Sequence, residues 1–271
     1  MVSIPELLRD LDSEGAELDG LVADLTPLQW QLPTAAPGWT IAHQIAHLAW
    51  TDGVALISVT RPADFLPTIN AGLASAGSVP GYLDAEAARG AEANPSELLA
   101  RWRTGRAELA VSLEQCTSGM SLPWLGTSMS PESMITARLM ETWAHAQDVA
   151  DARGVVRTAT GRLRHVAHIG VRARSSAFRA NELPVPDADI RVELTAPDGT
   201  LWCWGASDAA GRVTGSALDF CLRVTQRRHR DDLDLIATGA VADQWLDIAQ
   251  AFAGPPGAGR RPGQHSTERG T

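Results

Sequence analysis

The sequence predicts a mixed α+β protein in which a bundle of long helices precedes a small module of strands and helices. Apolar residues recur at helical spacing over four long stretches of the first 158 residues. Strand-like alternation begins only later, where Ile190, Val192 and Leu194 alternate with polar residues. We therefore predict three segments: a helical domain over 1–158, an α+β domain with a linking helix over 159–253, and a disordered tail over 254–271.

Capping residues mark where the predicted helices start. Ser3 and Glu6 form a capping-box pair before the first helix. Thr40 can cap a second helix that runs from Ile41 to about Thr60. Four long helices in this order are typical of an up-and-down bundle. The other two are predicted from about Leu83 to Cys116, with a possible break at Asn94-Pro95, and from Pro131 to about Gly154.

The connecting segments are predicted from their composition. The segment Arg61–Pro80 is rich in Pro, Gly, Ser and Ala, so we predict a loop or lid there. The second module should contain a linking helix over Gly161–Glu182, three strands from Ile190 to Thr214, a helix over Ser216–Arg228, a strand over Leu233–Thr238 and a final helix over Ala240–Ala253.

Composition excludes several classes of function. The formal net charge of −9 argues against a nucleic-acid partner, which requires a basic surface, and gives no reason to expect attraction to anionic lipid. All 23 basic residues are arginine, which excludes Schiff-base and P-loop chemistry that needs a lysine. Neither a signal peptide nor an apolar membrane-spanning stretch is predicted. The three sparse cysteines, none at CxxC spacing, favour reduced thiols and a cytoplasmic protein.

Two pairs of residues at i,i+4 spacing predict a metal site. His43 and His47 lie on the second helix, and Glu141 and His145 lie on the fourth. Residues four apart share one helix face, so each pair can point at one atom. A carboxylate and an imidazole from one helix with an imidazole from a facing helix make a three-ligand site with an open position. Such donors suit zinc, iron, nickel or manganese.

Alternatives to this site remain open on spacing alone. A Glu–His pair at i,i+4 is often a solvated surface pair, and His43 could bind the metal in place of His47. The segment HQIAH is similar to the HExxH zinc motif, but Gln44 stands where the catalytic glutamate is required, so a zincin protease is not expected. His165 and His168 lie among several arginines, which disfavours a bound cation.

Two segments carry a family resemblance that covers the chain to about Ala253. The segments PGWTIAHQIAHLAWTD (37–52) and TARLMETWAHAQDVADARG (136–154) resemble the DinB-like, mycothiol-dependent maleylpyruvate isomerase superfamily, in its actinobacterial branch of metal-binding proteins. The resemblance implies a DinB-like four-helix bundle followed by a sterol-carrier-like α+β domain. It also implies that His47, Glu141 and His145 hold a metal ion, usually zinc.

Four further residues are site candidates: two arginines come from the resemblance, and two residues from their place near His47. The family's isomerase uses an arginine on the first helix of the C-terminal module, and Arg227 is the better match, with Arg228 beside it as a cofactor-binding candidate. A guanidinium there can clamp a carboxylate, although basic residues are also common at helix ends. His43, a near neighbour of the triad, is the second catalytic candidate, although it could simply be a surface residue of the helix. Trp50, near His47, is a candidate wall of the cofactor pocket, although it could simply pack in the core.

Three functions are consistent with these residues. The first is a metal-dependent isomerase or thiol transferase that uses mycothiol, a low-molecular-weight thiol, on a small electrophilic substrate. The second is a thiol-independent hydrolase, lyase or cyclase of actinobacterial secondary metabolism, with the 61–80 segment and the Trp124 loop lining its pocket. The third is a non-catalytic binding module. Either a monomer or a homodimer is expected.

Overall fold

The protein divides into two compact units, Met1–Arg157 and Thr158–Thr271. The structure, a computed structural model, describes residues 2–125, 127–257 and 259–264. The predicted α+β class is confirmed, since helices occur in both units and a four-stranded sheet in the second. The predicted disordered tail falls partly outside the described residues, at 258 and 265–271. Within the described part of the chain, no helix has the length and apolarity that a membrane crossing requires.

The first unit is built around one central helix. Helix α3 packs against α4, α5, α6 and α7, and α1 packs against α6 and α7. A short antiparallel hairpin, β1–β2, precedes α7. The bounds are α1 (Ile4–Val22), α2 (Pro27–Trp30), α3 (Ile41–Thr60), α4 (Pro62–Ala76), α5 (Val79–Ala91), α6 (Pro95–Glu114), β1 (Leu122–Trp124), β2 (Thr127–Met129) and α7 (Pro131–Ala152).

Local capping explains why α1 and α7 begin where the sequence predicts. The Ser3 backbone N–H and hydroxyl both donate to Glu6 Oε2, at 2.9 and 2.7 Å. The Ser130 hydroxyl accepts from the Ser133 backbone N–H at 3.2 Å, and Pro131 occupies the first turn of α7. These contacts satisfy N–H groups that have no partner inside a helix. They also set the start of α7, which carries two of the candidate ligands.

The core of the first unit lies between α1, α3, α6 and α7. Leu18, Ile45, Leu98, Trp102 and Val149 are buried together there, one or more from each of these helices. A fully buried Leu or Ile side chain contributes roughly 1.5–3 kcal/mol to stability. This packing holds α3 and α7 side by side, and those helices carry the candidate ligands.

The predicted loop over Arg61–Pro80 is wrong, because most of this segment is helical. Helix α4 buries Phe65 and Ile69, four residues apart, against Val54 and Tyr82. The Pro and Gly residues that favoured a loop lie mainly at helix ends, where they are tolerated. Gly77, with φ of 73°, ends α4 in the left-handed conformation.

The second unit contains a four-stranded sheet in the order β4-β3-β5-β6. Strand β3 is antiparallel to β4 and parallel to β5, and β5 is antiparallel to β6. Ile190, Val192, Leu194 and Val213 are buried on one face of the sheet. The bounds are α8 (Leu163–Arg172), α9 (Arg174–Ala180), β3 (Ile190–Thr195), β4 (Leu201–Trp204), β5 (Gly211–Ser216), α10 (Ala217–Val224), a 3₁₀ turn (Arg230–Asp232), β6 (Leu235–Thr238) and α11 (Ala240–Ile248).

Three predicted helices of this unit differ from the structure. The final helix, predicted over Ala240–Ala253, ends at Ile248. The linking helix is interrupted at Ala173, which separates α8 from α9. The helix predicted over Ser216–Arg228 ends at Val224, because Gln226 adopts a φ of 58°. The Arg227 N–H then donates back to the Leu222 carbonyl at 2.8 Å, which is the Schellman pattern of helix termination.

Candidate metal centre

Three side chains from two helices converge at one point of the first unit. His47 lies on α3, and Glu141 and His145 lie one turn apart on α7. Glu141 Oε2 is 3.2 Å from His145 Nε2 and 3.8 Å from His47 Nε2. One potential ligand atom from each residue lies within 4.8 Å of the other two. Two tetrahedral ligands of one zinc ion are about 3.4 Å apart, so the arrangement fits a single ion.

The burial and charge of these groups also suit a cation. The side chains of His47 and His145 are 9% and 10% exposed, whereas that of Glu141 is 24% exposed. Although burial opposes ionisation, hydrogen bonding with His145 and His47 lowers the pKa of Glu141 well below its ordinary value. An ionised carboxylate and two imidazoles form a donor set for a divalent metal, and the partial exposure leaves room for a fourth group.

Gln44 connects His145 to the turn before α3. The His145 Nδ1 atom makes a short hydrogen bond with Gln44 Oε1. Gln44 Nε2 donates to Thr34 Oγ1 at 2.8 Å, and Gln44 is fully buried. Metal-binding histidines commonly donate their second ring nitrogen to an oxygen acceptor in this way. The residues around the three ligands therefore also fit a metal centre.

A buried ion pair lies next to the ligands. Arg138, one turn before Glu141 on α7, donates from Nε to Asp52 Oδ1 at 2.9 Å. It also donates to Thr51 Oγ1 at 2.8 Å, and the Thr51 hydroxyl donates to the His47 carbonyl at the same distance. Because Asp52 balances the guanidinium, the positive charge of Arg138 does not stand unopposed beside the site.

Aromatic rings surround the two imidazoles. The ring of Trp39 lies 5.3 Å from that of His47 and is stacked 6.2 Å from that of His145. Trp39 Nε1 donates to Asp84 on α5 at 3.0 Å. The ring centroid of Trp50 lies 6.5 Å from that of His47. The Trp50 ring also packs edge-to-face with the ring of Tyr82, with 5.1 Å between their centroids. Trp39 and Trp50 thus form apolar walls near the ligand atoms.

His43 is not one of the three converging groups. Its Nδ1 accepts from the Thr40 backbone N–H at 3.3 Å and lies 2.9 Å from the Thr40 hydroxyl. It therefore occupies the third position of the capping box of α3. Burial lowers the pKa of His43, and the negative charge of Asp84 opposes that effect.

The two arginine candidates belong to the second unit. Both follow α10 rather than lying on it. Arg227 Nη1 donates to the Thr225 carbonyl, and Arg228 Nη1 donates to the Arg227 carbonyl, each at 2.8 Å.

Gln44, Trp39 and Asp84 were not assigned a site role from the sequence. Trp39 belongs to the PGW segment, which is part of the family resemblance. That segment was the signal that could have identified Trp39 as a site residue. Gln44 was recognised only as the residue that replaces a catalytic glutamate. Its contact with His145 spans 101 residues of sequence, so no local pattern reveals it.

The fold and the site define an α+β protein with a two-histidine, one-carboxylate centre of metal-binding geometry. The family model for the mycothiol maleylpyruvate isomerase N-terminal domain matches residues 11–150, more than half of the chain. The chain therefore belongs to the mycothiol maleylpyruvate isomerase family. A second model, described as wyosine base formation, matches residues 186–238.

Relatives of high similarity come from an actinobacterium. Uncharacterized proteins of Mycobacterium tuberculosis, from strains CDC 1551 / Oshkosh and ATCC 25618 / H37Rv, are each 54% identical to this chain over 251 residues. The match covers 93% of this chain and 96% of each relative, so nearly the whole length is shared.

Solved structures share the fold at low sequence identity. The crystal structure of the mycothiol-dependent maleylpyruvate isomerase matches with a TM-score of 0.59 and 17% identity, over 87% of this chain and 93% of that one. A mutant of that isomerase with one histidine replaced by alanine matches with a TM-score of 0.58 and 18% identity, over 86% and 93%. The mixed α+β architecture is thus that of the isomerase.

Proposed function

We propose that this protein is a zinc-dependent enzyme that uses mycothiol to isomerise, or to transfer a thiol to, a small electrophilic substrate. The observation that carries the proposal is the convergence of His47, Glu141 and His145 on one point within a fold shared with a mycothiol-dependent isomerase. We also propose that the first unit is a DinB-like up-and-down bundle and the second a sterol-carrier-like module. The packing of α1, α3, α6 and α7 and the four-stranded sheet support this.

The reaction is an addition followed by an elimination. The thiolate sulfur forms a bond to one carbon of an activated cis alkene, and the π electrons move onto the conjugated carbonyl. The resulting single bond rotates, the electrons return, and the carbon–sulfur bond breaks to release the trans alkene and the thiolate. When the addition product is protonated and released instead, the outcome is thiol transfer. A zinc ion, when bound, supplies the positive charge that lowers the pKa of a neighbouring thiol.

The chain's own residues position the reactants. His47, Glu141 and His145 would hold the ion and leave one position open, which marks a catalytic rather than a structural centre. Trp39 and Trp50 would exclude water on the side where their rings flank His47. Exclusion of water strengthens electrostatic interactions at the reacting atoms.

Residues beyond the three ligands are assigned roles as part of the same proposal. His43 would donate a hydrogen bond to the substrate from Nε2, because Nδ1 accepts from the Thr40 backbone N–H and the neutral ring then carries its proton on Nε2. Arg227 would clamp a substrate carboxylate, because a guanidinium binds a carboxylate with two parallel hydrogen bonds. Arg228 and Trp50 would contact mycothiol. Replacing Arg227 with Lys should raise KM more than it lowers kcat, since Lys provides charge without the bidentate geometry.

The test combines metal analysis with turnover. Purified wild type and the variants His47→Ala, Glu141→Ala and His145→Ala are analysed for bound metal by mass spectrometry. We expect about one zinc per wild-type chain and little in any variant, because three protein ligands are needed. His168→Ala is the matched control, since His168 is an exposed histidine outside the cluster and should leave the metal content unchanged.

The second arm identifies the chemistry. The zinc-loaded protein is incubated with maleylpyruvate, with and without mycothiol, and the cis and trans products are separated by chromatography. Turnover or adduct formation that requires mycothiol supports the proposal. Metal-dependent turnover without any thiol would instead favour the hypothesis of a thiol-independent hydrolase, lyase or cyclase. A wild-type protein that binds no divalent metal would contradict both.

A further inference from the structure

The backbone carbonyl of Trp39 determines which groups donate and which accept in the hydrogen bonds around Gln44. The Trp39 carbonyl oxygen can only accept, and the Thr34 backbone N–H and hydroxyl lie 2.8 and 3.0 Å from it. The Thr34 hydroxyl therefore donates its proton to Trp39. Its oxygen lone pairs face Gln44 Nε2, which donates to them at 2.8 Å.

This direction fixes which end of the Gln44 amide meets His145. With Nε2 on Thr34, the acceptor oxygen Oε1 faces His145 Nδ1. Nδ1 must then carry a proton, and in a neutral imidazole the other nitrogen, Nε2, has the free lone pair. Nε2 is the atom that lies 3.2 Å from Glu141. The network thus leaves the metal-binding lone pair of His145 on the side of the cluster.

The burial of Gln44 makes this arrangement rigid. Gln44 is fully buried, so bulk water does not compete for its amide. Gln44 also lies on α3, three residues before His47, whereas His145 lies on α7. The hydrogen bond therefore links the two helices that provide the ligands. Among the residues that the structure describes, the equivalent buried nitrogen of His47, Nδ1, has no hydrogen-bond partner, so the link acts on His145 alone.

We propose that Gln44 is a positioning residue for His145: it holds the proton on Nδ1 and thereby reserves Nε2 for the metal ion. The inference rests on the proposed function, because it assigns Gln44 a part in the same centre. It also explains the sequence HQIAH, in which a glutamine stands where a zinc protease has its catalytic glutamate. At this position Gln44 acts on the metal ligand His145, whereas the glutamate of a zinc protease acts on the substrate.

The test measures zinc affinity directly, by competition with a chromogenic chelator at fixed pH. Gln44→Met keeps the volume of the side chain and removes the acceptor, so we expect Kd to rise about 10–100-fold, the usual effect of losing such a partner. Gln44→Glu restores an oxygen acceptor and should recover most of the affinity, since carboxylates commonly fill this role. Gln147→Met, on a mostly buried glutamine that donates to Asp151 on its own helix, is the matched control and should bind like wild type.

The absorption spectrum of the cobalt-substituted protein gives a second readout, which a purely structural role would not move. The d–d bands should shift in Gln44→Met and return in Gln44→Glu. If Gln44→Met does not fold, Thr34→Val, which removes the oxygen that orients the amide, should show a smaller loss of affinity in the same direction. Equal zinc affinity in wild type and the variant that folds would overturn the role of Gln44 while leaving the metal centre intact. Absence of zinc binding by the wild type would overturn the proposed function itself.

Discussion

Arg138 on α7 and Asp52 on α3 form an ion pair in the interior of the first unit, with 2.9 Å between Arg138 Nε and Asp52 Oδ1. Their side chains are only 2% and 7% exposed. The pair joins the same two helices as the candidate metal ligands, one turn away from Glu141.

Breaking this pair should destabilise the protein strongly. In Arg138→Met the carboxylate of Asp52 loses its partner, and removing one member of a buried pair costs about 3–5 kcal/mol. Urea unfolding followed by circular dichroism measures the change. Arg103→Met is the matched control: it removes a pair with Asp19 at a side chain that is 46% exposed, so it should cost less than about 1 kcal/mol. Equal costs at the two positions would refute the argument.

Metal binding should stabilise the folded protein. An ion that binds only the folded state adds about 2.7 kcal/mol to the free energy of unfolding at 100 times its Kd. We expect zinc to raise the Tm of the chelator-treated wild type, measured by differential scanning calorimetry. Glu141→Gln should lose most of this rise, because the neutral amide is a poor zinc ligand. A rise of the same size in Glu141→Gln would show that zinc binds elsewhere.

The three cysteines should differ sharply in reactivity. Burial raises the pKa of Cys221 well above its ordinary value, and burial together with the charge of Glu132 raises that of Cys116. Cys203 is exposed. The thiolate is the reactive form, so at pH 7–8 only Cys203 should react quickly with a disulfide reagent.

Labelling stoichiometry checks this expectation. We expect one fast thiol in the native protein, three after denaturation, and none fast in native Cys203→Ser. Because the pKa of Cys116 is raised, its slow labelling should speed up as the pH increases. Fast labelling of two thiols at pH 7 would show that a buried cysteine is accessible.

Gly72 should tolerate no side chain. A Cβ atom there would overlap the ring of Tyr82, where α4 packs against α5. We expect Gly72→Ala to lower the free energy of unfolding by about 1–3 kcal/mol, as overpacking does. Gly105→Ala is the matched control, since its Cβ would meet nothing within 4 Å in the middle of α6. That variant should gain about 0.5–1 kcal/mol from helix propensity, and a loss in both variants would argue against the steric explanation.

The helices that begin at capping residues were predictable from sequence because their signals are local. Ser3 with Glu6 and Thr40 with His43 lie within four residues of each other, and α1 and α3 begin as expected. Helix α4 was missed because glycine and proline suggested a loop. The same predicted loop covered the first turn of α5, whose remainder was predicted from about Leu83. The burial of Phe65 and Ile69, which outweighs that preference, depends on partners from other helices.

The candidate ligands could be named from i,i+4 spacing and family resemblance, whereas the residues around them could not. The stacking of Trp39 on His145 and the hydrogen bond from His145 to Gln44 join positions about 100 residues apart. Such contacts follow from how α3 and α7 pack, and single-sequence periodicity carries no information on that packing.

The helices α4 and α5 occupy the stretch of chain between the first candidate ligand and the other two. They bring Tyr82 against Trp50 and Asp84 against Trp39, yet they supply none of the three converging atoms. Changes in this helical pair can therefore reshape the surroundings of the centre without altering its inner set of donors. We expect relatives of this protein to differ in substrate selectivity through residues of α4 and α5. The metal ligands on α3 and α7 should stay the same in all of them.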